Sequence, residues 1–300
     1  MPMNTAIQKT ANPAGCPIYT ISGIRFQVVC PEKWMFRDEG VLAAYRSGDS
    51  AADHTLEFSL VEQLAPPAGT CICAQPDKQV YQDEACQIRY IGVVEKDLSG
   101  AYMRIARCDS TSLVQVKESA LQGHITAKLV LNAMEMEHHI VQNGGFLLHA
   151  SYIGWQGRAI LFTAPSGVGK STQAALWQSL RDARVFNGDR AGVMVKDGGV
   201  YACGIPFSGS SGIAENETLP LSAIVYLSQA PQTRITRLTG INAFRSIWEG
   251  CSINLWNKED VIACTETVLQ TAAQIPIFHL ACTPDASAVE ALEQALTQTR

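Results

Sequence analysis

From residue 19 to about residue 118 the chain alternates apolar and polar positions in short runs, the period of strands that bury one face. Tyr19–Cys30 carries Ile21, Ile24, Phe26 and Val28 in near alternation. Leu56–Val61, Gln79–Tyr81, Gln87–Val94, Ala101–Ala106 and Leu113–Val116 follow, separated by turns that contain Pro, Gly or Asp. Pro66-Pro67 and Gly69 punctuate the middle of this half. The pattern predicts a mainly β domain over residues 1–118 that shapes substrate access or assembly. From Leu121 to Val141 the period changes. Ile125, Leu129, Leu131, Met134, Met136 and Ile140 fall on one wide face, which predicts a single long helix ended by Gly144-Gly145.

Over residues 119–300 strands and helices alternate. Strands are predicted at Phe146–Ile153 and Arg158–Thr163 across the turn Gly154–Gly157, then a helix at Lys170–Leu180 and a strand at Arg184–Phe186. Two further strands flank Asp197-Gly198-Gly199, a hairpin signal. Leu221–Leu227, Arg234–Leu238 and Ile277–Ala281 read as strands, and Ile241–Trp248, Glu259–Gln274 and Ser287–Thr297 as helices. This order predicts an α/β domain. The hairpin makes its sheet mixed rather than purely parallel.

The chemistry is concentrated where the strand Arg158–Thr163 meets the following helix. Ala164-Pro165-Ser166-Gly167-Val168-Gly169-Lys170-Ser171-Thr172 has the strand–loop–helix setting of a phosphate-binding P-loop. Gly167 and Gly169 let backbone N–H groups approach phosphate oxygens, and the helix N-terminus adds donors and a positive dipole end. In this reading Ser166 to Thr172 cradle a nucleoside triphosphate, ATP. Lys170 reaches the β- and γ-phosphates, and Ser171 sits on Mg²⁺. The usual pattern begins with Gly, and here that position is Ala164. The alternative is a Gly-rich turn in which the lysine has no phosphate to meet.

Composition narrows the setting. Hydrophobic residues make up 47% of the chain and charged ones 17%, ample for packed cores and against long disordered stretches. A net charge of −5 without any basic run argues against nucleic-acid binding. No run approaches a membrane span, and Met1 to Gly15 lacks the apolar core of a signal peptide. The ten cysteines, with no paired C-x-x-C motifs, read as reduced and mostly buried. Cys71-x-Cys73 is the one close pair. A cytoplasmic protein is expected, with a homo-oligomer left open. His138-His139 reads as dipole partners at a helix C-terminus or as solvent-facing side chains, because adjacent helical positions do not share a face.

Asp189 follows a short strand, nineteen residues after Lys170, where a Walker-B-type carboxylate would sit beside the loop. It is a candidate for metal binding or for orienting the acceptor, against the plainer reading of an Asp in the turn Asn187-Gly188-Asp189-Arg190. Arg190 is either a phosphate or substrate contact or a surface charge. His149, near the end of the strand that precedes the P-loop strand, is by periodicity a core histidine.

Leu148-His149-Ala150-Ser151, Gly157, the loop Ala164 to Ser171, and Gly188-Asp189-Arg190 together resemble the catalytic domain of HPr kinase/phosphorylase. That fold is shared with ATP-dependent phosphoenolpyruvate carboxykinase. The likeness runs from Phe146 to about Phe207. Ile205-Pro206-Phe207-Ser208-Gly209 resembles a loop in related kinases of peptide-modifying clusters, such as lasso-peptide kinases. The resemblance implies a Mg-ATP-dependent kinase acting on a hydroxyl of a peptide, protein or small molecule. It places Asp189, His149 and Lys170 in catalysis, with Arg190 and Ser208 toward the substrate. The family's paired Asp is Gly188-Asp189 here, so one carboxylate is missing. Two other readings stay open: a non-catalytic nucleotide-binding module, and a carboxykinase-like lyase.

Overall fold

The computed structural model describes residues 16–31, 40–121 and 123–298. The stretch Met1 to Gly15 considered above lies outside the described residues. Two compact units divide the chain, one chiefly Arg46–Ala133 and the other chiefly from Met134 onward.

The first unit is a single mixed sheet. Its strands are β1 (Ile18–Ile21), β2 (Ile24–Val29), β3 (Arg46–Ser47), β4 (His54–Val61), β5 (Thr70–Ala74), β6 (Lys78–Gln82), β7 (Gln87–Ile91), β8 (Met103–Cys108) and β9 (Thr111–Lys117). They lie in the order β3-β1-β2-β4-β9-β8-β7-β6-β5. The alternation read along Tyr19–Cys30 is two strands rather than one, broken where Ser22 (φ 54°) and Gly23 (φ 84°) turn the backbone left-handed. From β9 to β5 every pairing is antiparallel between sequence neighbours, as short turns require. One expectation fails here: Cys86 and Cys108, flanking the register pair Gln87↔Arg107, form a disulfide. Cys71 and Cys73 remain thiols on β5. Among the described residues no group of three or more His, Cys, Asp or Glu could hold a metal ion.

The predicted long helix is also two. It is interrupted at Glu135, whose φ of 45° is left-handed, leaving α1 (Ala127–Ala133) and α2 (Met136–Gln142). His138 accordingly has neither of its expected roles. It is 13% exposed and its Nδ1 lies 2.8 Å from Oδ1 of the fully buried Asp260. Gln142 and Asn254 donate to the same carboxylate. Burial raises the Asp260 pKa, and the bonds from His138, Gln142 and Asn254 more than reverse this.

The second unit is a mixed sheet with helices on both faces. Its strands are β10 (Gly145–Trp155), β11 (Arg158–Thr163), β12 (Arg184–Asn187), β13 (Arg190–Lys196), β14 (Gly199–Cys203), β15 (Thr218–Gln229), β16 (Arg234–Leu238), β17 (Cys251–Ser252) and β18 (Ile277–Cys282). Its later helices are α3 (Lys170–Arg181), α4 (Gly240–Trp248), α5 (Lys258–Gln274) and α6 (Ala286–Gln298). β11–β15 and β15–β18 pair in parallel and the remaining ladders are antiparallel. The hairpin Asp197-Gly198 forms as expected, with φ of 51° and 74°.

β11 is buried on both faces after Arg158, which is why it reads as an unbroken apolar run. Ala159 and Leu161 enter one core with Phe146, Leu148, Ile247 and Val268. Ile160 and Phe162 enter the other with Trp177, Leu280, Val289 and Leu292. Burying each of these larger side chains contributes roughly 1.5–3 kcal/mol. The pairings β10–β13–β14–β15–β11–β10 close a circuit, so the strand that feeds the P-loop has no free edge. No helix among the described residues is long and apolar enough to cross a membrane.

Candidate active site

β11 ends at Thr163, and the chain turns through Ala164–Gly169 to start α3 at Lys170. Gly167 (φ 79°) and Gly169 (φ 125°) adopt backbone conformations that strain any L side chain. Nothing lies within 4 Å of where a Cβ on either would sit, so conformation, not crowding, demands glycine. Ala164 is not in that region, and its methyl packs with Phe162, Ala174 and Trp177. The side chain at the usual first-glycine position is thus accommodated in the core beneath the loop.

Ser166, Gly167, Ser171 and Thr172 are exposed, and Val168 and Gly169 half-buried. The N–H groups of the first turn of α3 have no intrahelical partners, and they form the positive end of the helix dipole. Lys170 is 7% exposed, and its Nζ donates to the carbonyls of Ala164 (2.9 Å) and Pro165 (3.3 Å). Burial lowers its pKa, with Asp189 acting in the opposite direction. The ammonium is thus held across its own loop by two neutral acceptors, for which a phosphate oxygen would compete on better electrostatic terms.

β10 brings the other groups to this place by changing partners. Gly145–His149 pair with β13, and from Ala150 the strand pairs with β11. At the junction the N–H of His149 donates to Gly250 O, that of Ala150 to Asp189 O, and the Thr163 hydroxyl to His149 O. His149 Nε2 stands 3.8 Å from Asp189 Oδ1, inside ion-pair range and beyond a hydrogen bond. Their side chains are 39% and 30% exposed. His149, by periodicity a core residue, is therefore half-open beside Asp189. Burial and the nearby Lys170 lower the pKa of its imidazole, with Asp189 opposing them.

The turn that carries Asp189 is held by Asn187, which is fully buried. Its Oδ1 accepts from the N–H groups of Asp189 (2.8 Å) and Arg190 (3.0 Å), and its Nδ2 donates to Ile205 O and Phe207 O, both at 2.9 Å. One amide thereby fixes the carboxylate and the facing loop. Sequence reasoning treated Asn187 only as part of a turn, although an Asn two residues before an N–H is a recognised local clamp.

The facing loop closes on the turn. A Cβ on Gly209 would lie 2.8 Å from Asp189 Cβ, and one on Gly188 would lie 2.6 Å from Ser211 Oγ and 2.7 Å from Ser211 Cβ. The missing first carboxylate is therefore a matter of space: Ser211 occupies its place. Arg190 Nε is 3.3 Å from Asp189 Oδ2, its Nη1 is 3.9 Å from Glu137 on α2, and its guanidinium lies over the Phe207 ring at 5.3 Å. Ser208 precedes the short turn Gly209–Ser211, and its carbonyl accepts from the Ser211 hydroxyl. Glu137 carried no signal in the sequence, since only the fold brings α2 to Arg190.

These features define a mixed-sheet α/β protein with a P-loop-type strand–loop–helix and a His–Asp–Arg cluster at its mouth. The sequence model of the family described as SynChlorMet cassette protein ScmC matches residues 113–297, and the chain belongs to that family. The description names a cassette and not a reaction. No curated protein matches the chain. Among solved structures, the Hpr(Ser) kinase/phosphatase from Coxiella burnetii is similar at 12% identity and a TM-score of 0.28, over 51% of this chain and 88% of that one. A likeness that weak carries no inference about the site.

Proposed function

We propose that the chain is a Mg-ATP-dependent phosphotransferase that moves a γ-phosphoryl group to the hydroxyl of a peptide, protein or small molecule. The observation that carries this reading is the convergence of His149, Asp189 and Lys170, from three separate elements, at the mouth of the P-loop-type turn. The backbone of Ser166–Ser171 would wrap the phosphates while Lys170 leaves the Ala164 and Pro165 carbonyls to contact them. Mg²⁺ fits the donor set, since it takes few protein ligands and keeps waters and phosphate oxygens. Ser171 and Asp189 would hold it, and it would supply charge neutralisation on the transferring group.

The proton of the acceptor hydroxyl would pass to Asp189, or to neutral His149 where Asp189 serves the metal, as the new O–P bond forms and the bond to the leaving ADP breaks. The neutral form of His149, favoured by its surroundings, would bond that hydroxyl or a phosphate oxygen. Arg190, carried on the Phe207 ring, would orient the acceptor with the Ser208 loop. One observation favours a second reading, a nucleotide-binding module without turnover: Gly188 leaves a single carboxylate and no room for another.

The test begins with Lys170→Ala, which removes the cation held across the loop. Calorimetry should show Mg-ATP binding lost or weakened by well over tenfold in a folded protein. Unchanged binding would remove the phosphate cradle from the molecule. Acceptor-dependent ADP release against a panel of hydroxyl compounds then separates transferase from module.

A further inference from the structure

β11 lies between β10 and β15, so the P-loop that follows it has two sides. On the β10 side stand His149 and Asp189. On the β15 side opens a cavity of about 570 Å³, within the roughly 300–1,000 Å³ typical of small-molecule sites. It starts at Gly167–Gly169, passes over Thr172 and Gln173 of α3, and is walled by the carboxyl ends of β15 and β18, from Leu227 to Pro231 and from Cys282 to Pro284. The carboxyl ends of parallel strands are where α/β sheets hold their ligands.

Its chemistry differs from that of the other side. None of the lining residues is Asp, Glu, Lys, Arg or His. The lining polar groups are neutral amides and hydroxyls: Gln173, Gln229, Ser228, Thr172 and Thr283. Gln173 is 3% exposed. Its Nε2 donates to Cys282 Sγ, a weak acceptor, at 3.4 Å, and its Oε1 has no hydrogen-bond partner among the described residues. A buried amide in that condition has unmet hydrogen-bonding capacity. Two anchors set the far wall: Gln229 Nε2 donates to Val168 O, and Ser228 Oγ lies 2.8 Å from His279 Nε2.

We infer that this cavity takes the nucleoside of the bound nucleotide, with Gln173 selecting adenine. The inference rests on the P-loop reading above and extends it to the base. An uncharged lining suits a flat, neutral group and not a second phosphate. An amide offers one donor and one acceptor, matching the amine and ring nitrogen along one edge of adenine. Guanine presents two acceptors on that same edge, which Arg or Lys reads best, and the lining contains neither. A phosphate chain crossing the loop would then place its base at Gln173 and its terminal phosphate at Asp189.

Calorimetry on the full chain with Mg-ADP, Mg-GDP and inorganic tripolyphosphate tests this in wild type, Gln173→Leu and Ala230→Trp. Mg-ADP should bind about tenfold more tightly than Mg-GDP in wild type. Gln173→Leu should bring Mg-ADP to the level of Mg-GDP, and Ala230→Trp, which fills the cavity, should weaken both. Tripolyphosphate should bind all three proteins equally, which also reports that each variant is folded. Equal binding of ADP and GDP by wild type, or a preference that survives Gln173→Leu, overturns the assignment while leaving the cradle intact. If tripolyphosphate fails to bind wild type and Lys170→Ala changes nothing, the cradle itself falls, and the base site falls with it.

Discussion

Ala164 and Gly188 are both places where the chain leaves the pattern it resembles, and the molecule treats them oppositely. At Ala164 a side chain has replaced a hydrogen, and the extra methyl is packed into the core beneath the loop. At Gly188 a hydrogen has replaced a side chain, and Ser211 fills the space a carboxylate would need. Written as letters, both are single-position departures. In three dimensions the first is silent, whereas the second has been built around. A departure weakens a functional reading only when the surrounding atoms have closed over the lost group.

The contrast can be broken most forcefully at Asp189, the carboxylate that remains. Asp189→Asn keeps its shape and removes its charge, and turnover should fall by ~10²–10⁴ if it is the proton acceptor. A rate within about twofold of wild type in single-turnover assays would return it to the role of a turn residue.

Next comes Gly188. Restoring the family's residue with Gly188→Asp should lower stability and not raise activity, because overpacking costs about 1–3 kcal/mol and the clash is with the short Ser211 side chain. Ser211→Gly in the same molecule should recover most of that loss in urea unfolding. A stable, more active Gly188→Asp single variant would show that the space is not closed.

His149 connects the two regions, and its titration offers a smaller, signed effect. Its pKa is depressed in the folded state by burial and by Lys170. Between the folded value and the ordinary one near 6.5 the unfolded chain binds a proton that the native chain does not. Stability associated with neutral His149 is therefore complete above about pH 6.5 and is lost as pH falls through the folded value. His149→Gln should make the acid side of a stability–pH curve shallower. An unaltered curve would mean the imbalance lies elsewhere.

Smallest of all should be Ala164→Gly. Losing a buried methyl and adding backbone freedom together cost about 1–2 kcal/mol in thermal unfolding. Nucleotide affinity should stay within about twofold. A large loss of affinity would mean that the methyl shapes the loop itself.

Most of the second unit was legible because its signals are local. β16 spans Arg234–Leu238, as its sequence pattern predicts, α3 starts at Lys170, and the hairpin sits at Asp197-Gly198. Such features arise from periodicity and turn chemistry over a few residues. What stayed hidden depends on distant partners. The break at Glu135 occurs inside a good helical pattern, where no glycine or proline marks it. His138 is drawn inward by Asp260, more than a hundred residues away. Cys86 and Cys108 meet only because β7 and β8 pair in one register. At the site, the Gly-rich loop announced itself. Asn187, Ser211 and Glu137 matter through shape and contact, which residue type alone does not convey.

The change of partners along β10 has a consequence for how the molecule breathes. The amide of Ala150 is locked to Asp189 at the seam of a closed ladder, and that of His149 to Gly250 beside β17. The Ala150 bond opens only when β10 parts from the turn between β12 and β13, whereas the His149 bond opens with the short β17. Deuterium uptake at Ala150 should therefore follow opening of the sheet, while Ser211 and Gly212, exposed and outside that ladder, exchange far sooner.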